Sequence, residues 1–251
     1  MDVATRSKSI IKALLPAPMR QAVLEYRARQ RFVEYRALNT EQVFAKIYDD
    51  GAWGRSPDPE QRFFSGSGSH EPAVVDAYVE AVRRFLQSLG GRPDAVDLGC
   101  GDFGVGSRIR DLCGRYVACD IVTPLIEFNR QRYASLDVDF RVLDLTTDDL
   151  PRGDVVFIRQ VLQHLSNEQI LHALPQISTR FTHLVVSEHL PAGKAFSPNI
   201  DKAAGPGIRL SVESGVVLTD APFNLRPKSE RVLCEVPESG GVIRTLAYRL
   251  A

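Results

Sequence analysis

From about residue 90 onward, short apolar runs recur along the chain, and most end in an acid or a polar cluster. Ala95-Val96-Asp97-Leu98 is the first, followed at once by the glycine turn Gly99-Cys100-Gly101-Asp102-Phe103-Gly104. Tyr116-Val117-Ala118-Cys119-Asp120-Ile121 is the second. Residues 138–143 alternate as a strand does, 154–158 form a fourth apolar run, and 183–189 a fifth with polar residues at its carboxyl end. Residues 231–236 and 242–248 flank Pro237-Glu238-Ser239-Gly240-Gly241, the form of an antiparallel hairpin. Helical spacing appears between these runs. Val75, Tyr78, Val82 and Phe85 fall on one face of a helix over residues 72–86 that is expected to pack on the sheet. Ser166 and Gln169 stand at capping-box spacing before a helix continuing through Ile170, Leu171, Ala173 and Leu174. The order predicts an α/β fold: a mostly parallel, seven-stranded sheet, its first five strands separated by helices and its end closed by the hairpin.

The turn after the first strand concentrates the chemistry. Gly99, Gly101 and Gly104 satisfy G-x-G-x-x-G, a weak sign of a dinucleotide on its own. Asp97 just before the turn and Asp102 inside it would repel a pyrophosphate. They suit a ligand with an ammonium group and a sulfonium centre. A helix is expected to follow and to offer its unpaired N–H groups. Asp120 lies about 20 residues further on, the spacing of a carboxylate that accepts both ribose hydroxyls. That supports an adenosine-type ligand without saying which.

Asp97-Leu98-Gly99-Cys100-Gly101 with Asp102 resembles motif I of the class I S-adenosylmethionine-dependent methyltransferases. The resemblance implies a Rossmann-like class I fold with S-adenosyl-L-methionine as cofactor. It implies that Asp97, Gly99, Cys100, Gly101 and Asp102 surround the methionine end and that Asp120 and Ile121 meet the ribose. Asp144 and Leu145 would meet the adenine. The run Arg159-Gln160-Val161-Leu162-Gln163-His164-Leu165-Ser166 is similar to the family's fourth motif, so Arg159 and Gln160 would face cofactor and substrate.

Domain organisation follows the composition. Residues 1–45 read as a basic helical arm carrying Arg20, Arg27, Arg29, Arg31 and Arg36. The arm either touches an anionic membrane surface or a partner, or packs on the domain or across a homodimer. Residues 46–90 read as a lid followed by the helix packing on the core, and 91–251 as the core, with acceptor loops at 190–228. The aromatic-framed run Phe63-Phe64-Ser65-Gly66-Ser67-Gly68-Ser69-His70 is either a flexible connector or a lid. As a lid, Ser67 and Ser69 would bind the cofactor carboxylate while Trp53 or Phe64 excludes water.

Lys+Arg and Asp+Glu balance at 31 each, so nucleic acid has no whole-chain electrostatic support as a partner. No apolar run approaches the ~20 residues of a membrane span, and no secretory signal stands out. Cys100, Cys113, Cys119 and Cys234 lack C-x-x-C spacing and read as small buried residues of a cytoplasmic protein; no metal site is expected.

Methyl transfer to an alcohol needs a base, and the candidates are His189, Glu188 and His164, with His70 nearby in the lid. His172 and His183 read as structural. The lid run, the 159–166 run and Pro222-Phe223-Asn224 also resemble a bacterial subgroup that accompanies polysaccharide or glycolipid assembly. The resemblance implies O-methylation of a hydroxyl on a glycan or other small molecule. The alternatives are an N-methyltransferase acting on an amine or protein side chain, a non-catalytic cofactor-binding scaffold, and a nicotinamide oxidoreductase.

Overall fold

Seven strands make one sheet: β1 (Ala95–Leu98), β2 (Tyr116–Asp120), β3 (Asp139–Val142), β4 (Val155–Arg159), β5 (His183–Pro191), β6 (Ser229–Glu238) and β7 (Gly241–Arg249). Their order in space is β3-β2-β1-β4-β5-β7-β6. The first five are parallel to one another, whereas β7 runs antiparallel to both β5 and β6. This computed structural model describes residues 35, 37–193 and 196–250. Contacts divide the chain into two units, Met1–Leu38 and Asn39–Ala251, and the whole sheet belongs to the second. Most of the basic arm expected over 1–45 lies outside the described residues.

Strand order reverses between β1 and β4, which leaves a crevice beyond their carboxyl ends. Parallel strands covered on both faces must be apolar throughout, and β1 is buried at every position. Asp97 is its one polar residue. Helix α1 (Thr40–Asp50) begins inside the expected arm and runs through the expected boundary at 45/46. Asn39 and Gln42 close a capping box at its start. Helix α2 (Pro72–Ser88) buries Val75, Tyr78, Val82 and Phe85, as its spacing predicts, in the core that holds Ala95, Phe157, Val185 and Ala247. Helices α3 (Thr123–Arg132) and α4 (Asn167–Arg180) follow β2 and β4. No helix among the described residues is long and apolar enough to cross a membrane.

Several local expectations are corrected. The connection from β1 to β2 holds two 3₁₀ turns, Gly106–Arg108 and Arg110–Leu112, in place of the expected helix. Its glycines disfavour a helix, and buried Phe103 sits at positive φ. The guanidinium of Arg110 donates to the carbonyls of Cys113, Gly114, Leu136 and Asp137, so a side chain satisfies groups that a continuous helix would satisfy itself. Between β3 and β4 there is also no helix, only a turn in which Asp148 Oδ2 accepts the N–H of Asp144.

The hairpin is tighter than expected. Pro237 and Glu238 belong to β6, and Ser239-Gly240, both at positive φ, make the whole turn. On α4, Leu171 is exposed and Ile177 joins Ile170, Ala173 and Leu174 in the buried stripe. All four thiols are free, but Cys100 and Cys234 are only half-buried.

At the start of α4 the Ser166 hydroxyl accepts the N–H of Gln169, whose side chain returns a bond to the Ser166 N–H. Ser166→Ala removes this cap and should cost about 1 kcal/mol, read as a lower urea midpoint with an unchanged slope.

Candidate active site

A cavity of about 420 Å³ opens at the carboxyl ends of β1, β2, β4 and β5. The glycine turn with Asp97 and Asp102 lines it, as do Asp120 with Ile121, Asp144 with Leu145, Arg159 with Gln160, and Ser67 with Ser69. Segments far apart in sequence thus converge where they were expected to. His164 and His189 line the cavity as well.

The turn itself is shaped by close approach. Gly99 sits at φ 76°, and a Cβ there would run into the Val161 side chain. Gly101 sits at φ 55°, where a Cβ would strike the Ser65 hydroxyl. Gln160, the residue after β4, is also at positive φ, and its N–H donates to Ser187 O at 2.7 Å. Such backbone geometry costs free energy and persists where the surrounding fold enforces it.

The buried acids divide by how well they are satisfied. Asp120 accepts the N–H of Gly101 and of Val122, each at 3.1 Å, yet burial still pushes it up to about 6. Asp97 accepts only the Tyr116 hydroxyl, at 3.2 Å. Burial pushes it up to about 7 against that bond and the field of Arg159. Asp102 is fully engaged: Oδ2 accepts from Ser65 N and His70 Nε2, and Oδ1 from Gly104 N. Asp144 Oδ1 is taken by the N–H and hydroxyl of Thr146.

Arg159 at the end of β4 is half-buried over the Tyr78 ring, 5.0 Å from its centroid. Nη1 donates to Ser69 Oγ at 3.0 Å and Nη2 to Gly68 O, while Nε is buried without a partner. A buried N–H without a partner is uncommon in a folded protein, and here it belongs to a guanidinium that lines the cavity.

The candidate bases separate sharply. His189 points into the cavity, and its Nε2–H donates to Glu238 O at 2.8 Å. That bond fixes the tautomer and leaves the lone pair on Nδ1. Glu188, the preceding residue on β5, faces the other side of the sheet among Val186, Leu190, Val216 and Tyr248. The expectation that Glu188 faces the acceptor is therefore corrected: strand alternation turns it away.

His164 has both nitrogens in use. Nδ1–H donates to Gly205 O at 3.2 Å, and Nε2 accepts from Gln163 Nε2 at 3.3 Å. Burial, with Lys202 nearby, pushes it down to about 3, so it is a poor proton acceptor.

Sequence reasoning missed several participants. Tyr48 places its hydroxyl 3.1 Å from Ser65 Oγ, beside Trp53, which the sequence did put in the lid and which donates from Nε1 to Pro206 O at 3.2 Å. Phe44 and Tyr48 lie four residues apart on α1, so helical spacing could have flagged both as a cavity-facing stripe. Gln163 joins the two histidines, since its Oε1 accepts the N–H of His189 at 3.1 Å. No local pattern announces that link.

Residues 96–182 match a family model described as a methyltransferase domain. These residues carry a methyltransferase domain, and the sheet has the Rossmann-like fold of class I methyltransferases. The N-methyltransferase NodS from Bradyrhizobium japonicum WM9, in complex with S-adenosylhomocysteine, is similar in fold. Identity is 14%, coverage 81% of this chain and 98% of that one, and the TM-score 0.59. Magnesium protoporphyrin IX methyltransferase from Synechocystis PCC 6803, with bound S-adenosylmethionine, gives 14% identity, coverage of 85% and 99%, and 0.55. The N-terminal domain of EvdMO1, crystallised with S-adenosylhomocysteine and D-fucose, gives 15%, 74% and 85%, and 0.51. At these identities the likeness is one of fold. No protein of curated function matches the chain in sequence.

S-adenosylmethionine is the cofactor that the methyltransferase-domain match and the likeness of fold imply. The residues present fit it: Arg159, with one N–H unpaired, and Asp97, an under-satisfied buried carboxylate, line one cavity. Gly99→Ala forces a side chain against Val161 at positive φ and should destabilise the protein by about 1–3 kcal/mol, measured by urea unfolding without ligand.

Proposed function

We propose that the methyltransferase domain methylates a hydroxyl of a sugar, glycan or other small neutral acceptor, with His189 as the base. The observation that carries this reading is the His189 imidazole: Nε2–H is tied to Glu238 O, and Nδ1 is left with its lone pair in the cavity. An alcohol is a nucleophile only as its proton leaves, and Nδ1 accepts that proton while the Glu238 carbonyl stabilises the imidazolium. His164 is a positioning residue, acting through Gln163 on the backbone of His189.

The cofactor supplies a methyl group on a sulfonium, which departs as a neutral thioether. This chain's residues bind and align. Asp97 takes the ammonium group. Arg159, with Ser67 and Ser69, takes the carboxylate. Asp120 beside Ile121 takes the ribose hydroxyls, and Asp144 with Leu145 borders the adenine. Gly99, Cys100 and Gly101 let the backbone come close, and Asp102 and Gln160 hold the turn and the residues above it.

Arg159 is the only cation among the described residues that line the cavity. With that charge committed to the cofactor, a carboxylate or phosphate acceptor has no counter-charge, which favours a neutral one. Trp53, backed by Phe44 and Tyr48, offers an apolar wall suited to the C–H face of a sugar ring. The N-terminal domain of EvdMO1, similar in fold and crystallised in the presence of D-fucose, supports a sugar. An amine is the second reading, favoured by the acid Glu238, which lines the cavity beside His189.

The test is an acceptor panel of sugars, glycolipids, phenols, amines and carboxylic acids, read by S-adenosylhomocysteine formation. Turnover confined to amines would replace the hydroxyl reading. Cofactor binding without turnover on any class would favour a scaffold. His189→Ala should lower kcat about a hundredfold or more while leaving the affinity for S-adenosylhomocysteine unchanged.

Asp97 sets a pH dependence. Only the ionised carboxylate attracts the ammonium, and its pKa in the empty protein is raised to about 7. Binding therefore expels a proton below that pH, and affinity for S-adenosylhomocysteine should climb as pH rises to about 7 and then level. The empty protein behaves oppositely. A raised acid contributes stability at low pH, and that contribution is lost as pH rises through about 7. Asp97→Asn should weaken binding and flatten its pH profile, as titration calorimetry at several pH values would register.

A further inference from the structure

Residues 63–70 cross the cavity beside the cofactor turn, and their fastening is concentrated on one carboxylate. Asp102 Oδ2 accepts the backbone N–H of Ser65 at 3.0 Å and the Nε2–H of His70 at 2.7 Å. Ser65 answers from the other side: its Oγ accepts the N–H of Asp102 at 2.9 Å and lies against the Tyr48 hydroxyl. The His70 ring is stacked on Phe64, with centroids 4.3 Å apart and planes 17° from parallel, which sets its orientation.

Between those two ties to Asp102, the segment lays Gly68 O and Ser69 Oγ on the Arg159 guanidinium. Burial alone would push the Asp102 carboxyl up, but the bond and charge of His70, with the N–H groups of Ser65 and Gly104, outweigh it and hold the group below its ordinary range. The two partners differ in exposure: the Asp102 side chain is 3% exposed and that of His70 30%. The fixed half of the pair therefore belongs to the turn and the releasable half to the strap.

We propose that His70 latches the 63–70 strap onto Asp102, and that opening this latch sets the rate at which cofactor and demethylated product leave the cavity. The inference rests on the reading that Arg159 and the strap's Gly68 and Ser69 lie over the methionine end of the cofactor. A ligand held there cannot leave along the strap's side until Gly68 and Ser69 lift from Arg159. The strap can lift only if one of its ties to Asp102 gives way. Gly66, at φ 86° and packed near Trp53, is the backbone position able to absorb the swing, since no side chain restricts it. Ser65, doubly bonded to Asp102, is the fixed end, and His70 the end that opens. Asp102 is thereby a positioning residue that holds the cover closed, and Asp97 is the acid left for the ammonium.

The experiment is release of tritiated S-adenosylhomocysteine from the full-length protein after dilution into excess unlabelled S-adenosylmethionine, followed by rapid filtration. His70→Ala should speed release by about tenfold to a hundredfold, the range of one charge-assisted hydrogen bond. His70→Gln, whose Nε2–H reaches similarly far, should restore most of the slow release. Ser65→Ala, which removes the hydroxyl tie, should move release in the same direction as His70→Ala. A purely structural His70 would lower the melting temperature of the alanine variant and leave its release rate at the wild-type value, and that result overturns the latch. Wild-type protein that retains no label overturns the cofactor assignment at Arg159 and the latch with it. Retention with unchanged release in His70→Ala overturns the latch alone.

Discussion

Desolvation of carboxylates around one glycine turn is the constraint on which the site depends. Asp97, Asp102 and Asp120 are all buried within a few residues of strand ends that meet at the switch point of the sheet. Packing like charges in a dry place is unfavourable unless each finds donors. Asp120 is served by the backbone of the turn and Asp102 by the strap. Asp97 is left with one phenol and the distant field of Arg159. A cationic group entering the cavity would relieve that imbalance, which is why Asp97 is the acid proposed to meet the ammonium.

The acceptor end obeys a different rule, that of strand parity. On β5 successive side chains face opposite sides of the sheet, so His189 and Glu188 could never both reach one substrate. The hairpin decides how His189 is held. Because β6 and β7 are joined by the two-residue turn Ser239-Gly240, the Glu238 carbonyl arrives beside the ring. Gly241 leaves room for it, since a Cβ there would crowd Nε2. A short turn at the far edge of the sheet thus sets the tautomer of the proposed base.

Much of this was legible in the sequence. Buried parallel strands are continuous apolar runs, and β1, β2, β4 and β5 were readable as such. The acids that end them, Asp97 and Asp120, lie on the cavity because strand ends and turn spacing are local properties. What escaped was non-local or depended on phase. His70 and Asp102 are 32 residues apart, and nothing near either names the other. The 3₁₀ turns after Gly104 were missed because Arg110 substitutes side-chain bonds for a helical ladder. Glu188 and His189 looked equivalent because polar residues at a strand end show no phase without the partner strand.

Glu188 has a part to play on the far face. Its carboxyl oxygens have no hydrogen-bond partner, and burial raises it to about 8 even though Arg209 lies close enough to oppose the shift. Arg209 in turn is almost wholly buried, and it donates to the carbonyls of Leu162, Leu165 and Ile200 and to Asn167 Oδ1. The first two of those carbonyls belong to the turn that presents Gln163 and His164 to the acceptor side. A buried cation spread over several carbonyls needs no full ion pair, and a neutral Glu188 packs beside it without a second buried charge. The side chains proposed to face the acceptor are therefore braced from behind by a guanidinium that is not among the residues lining the cavity.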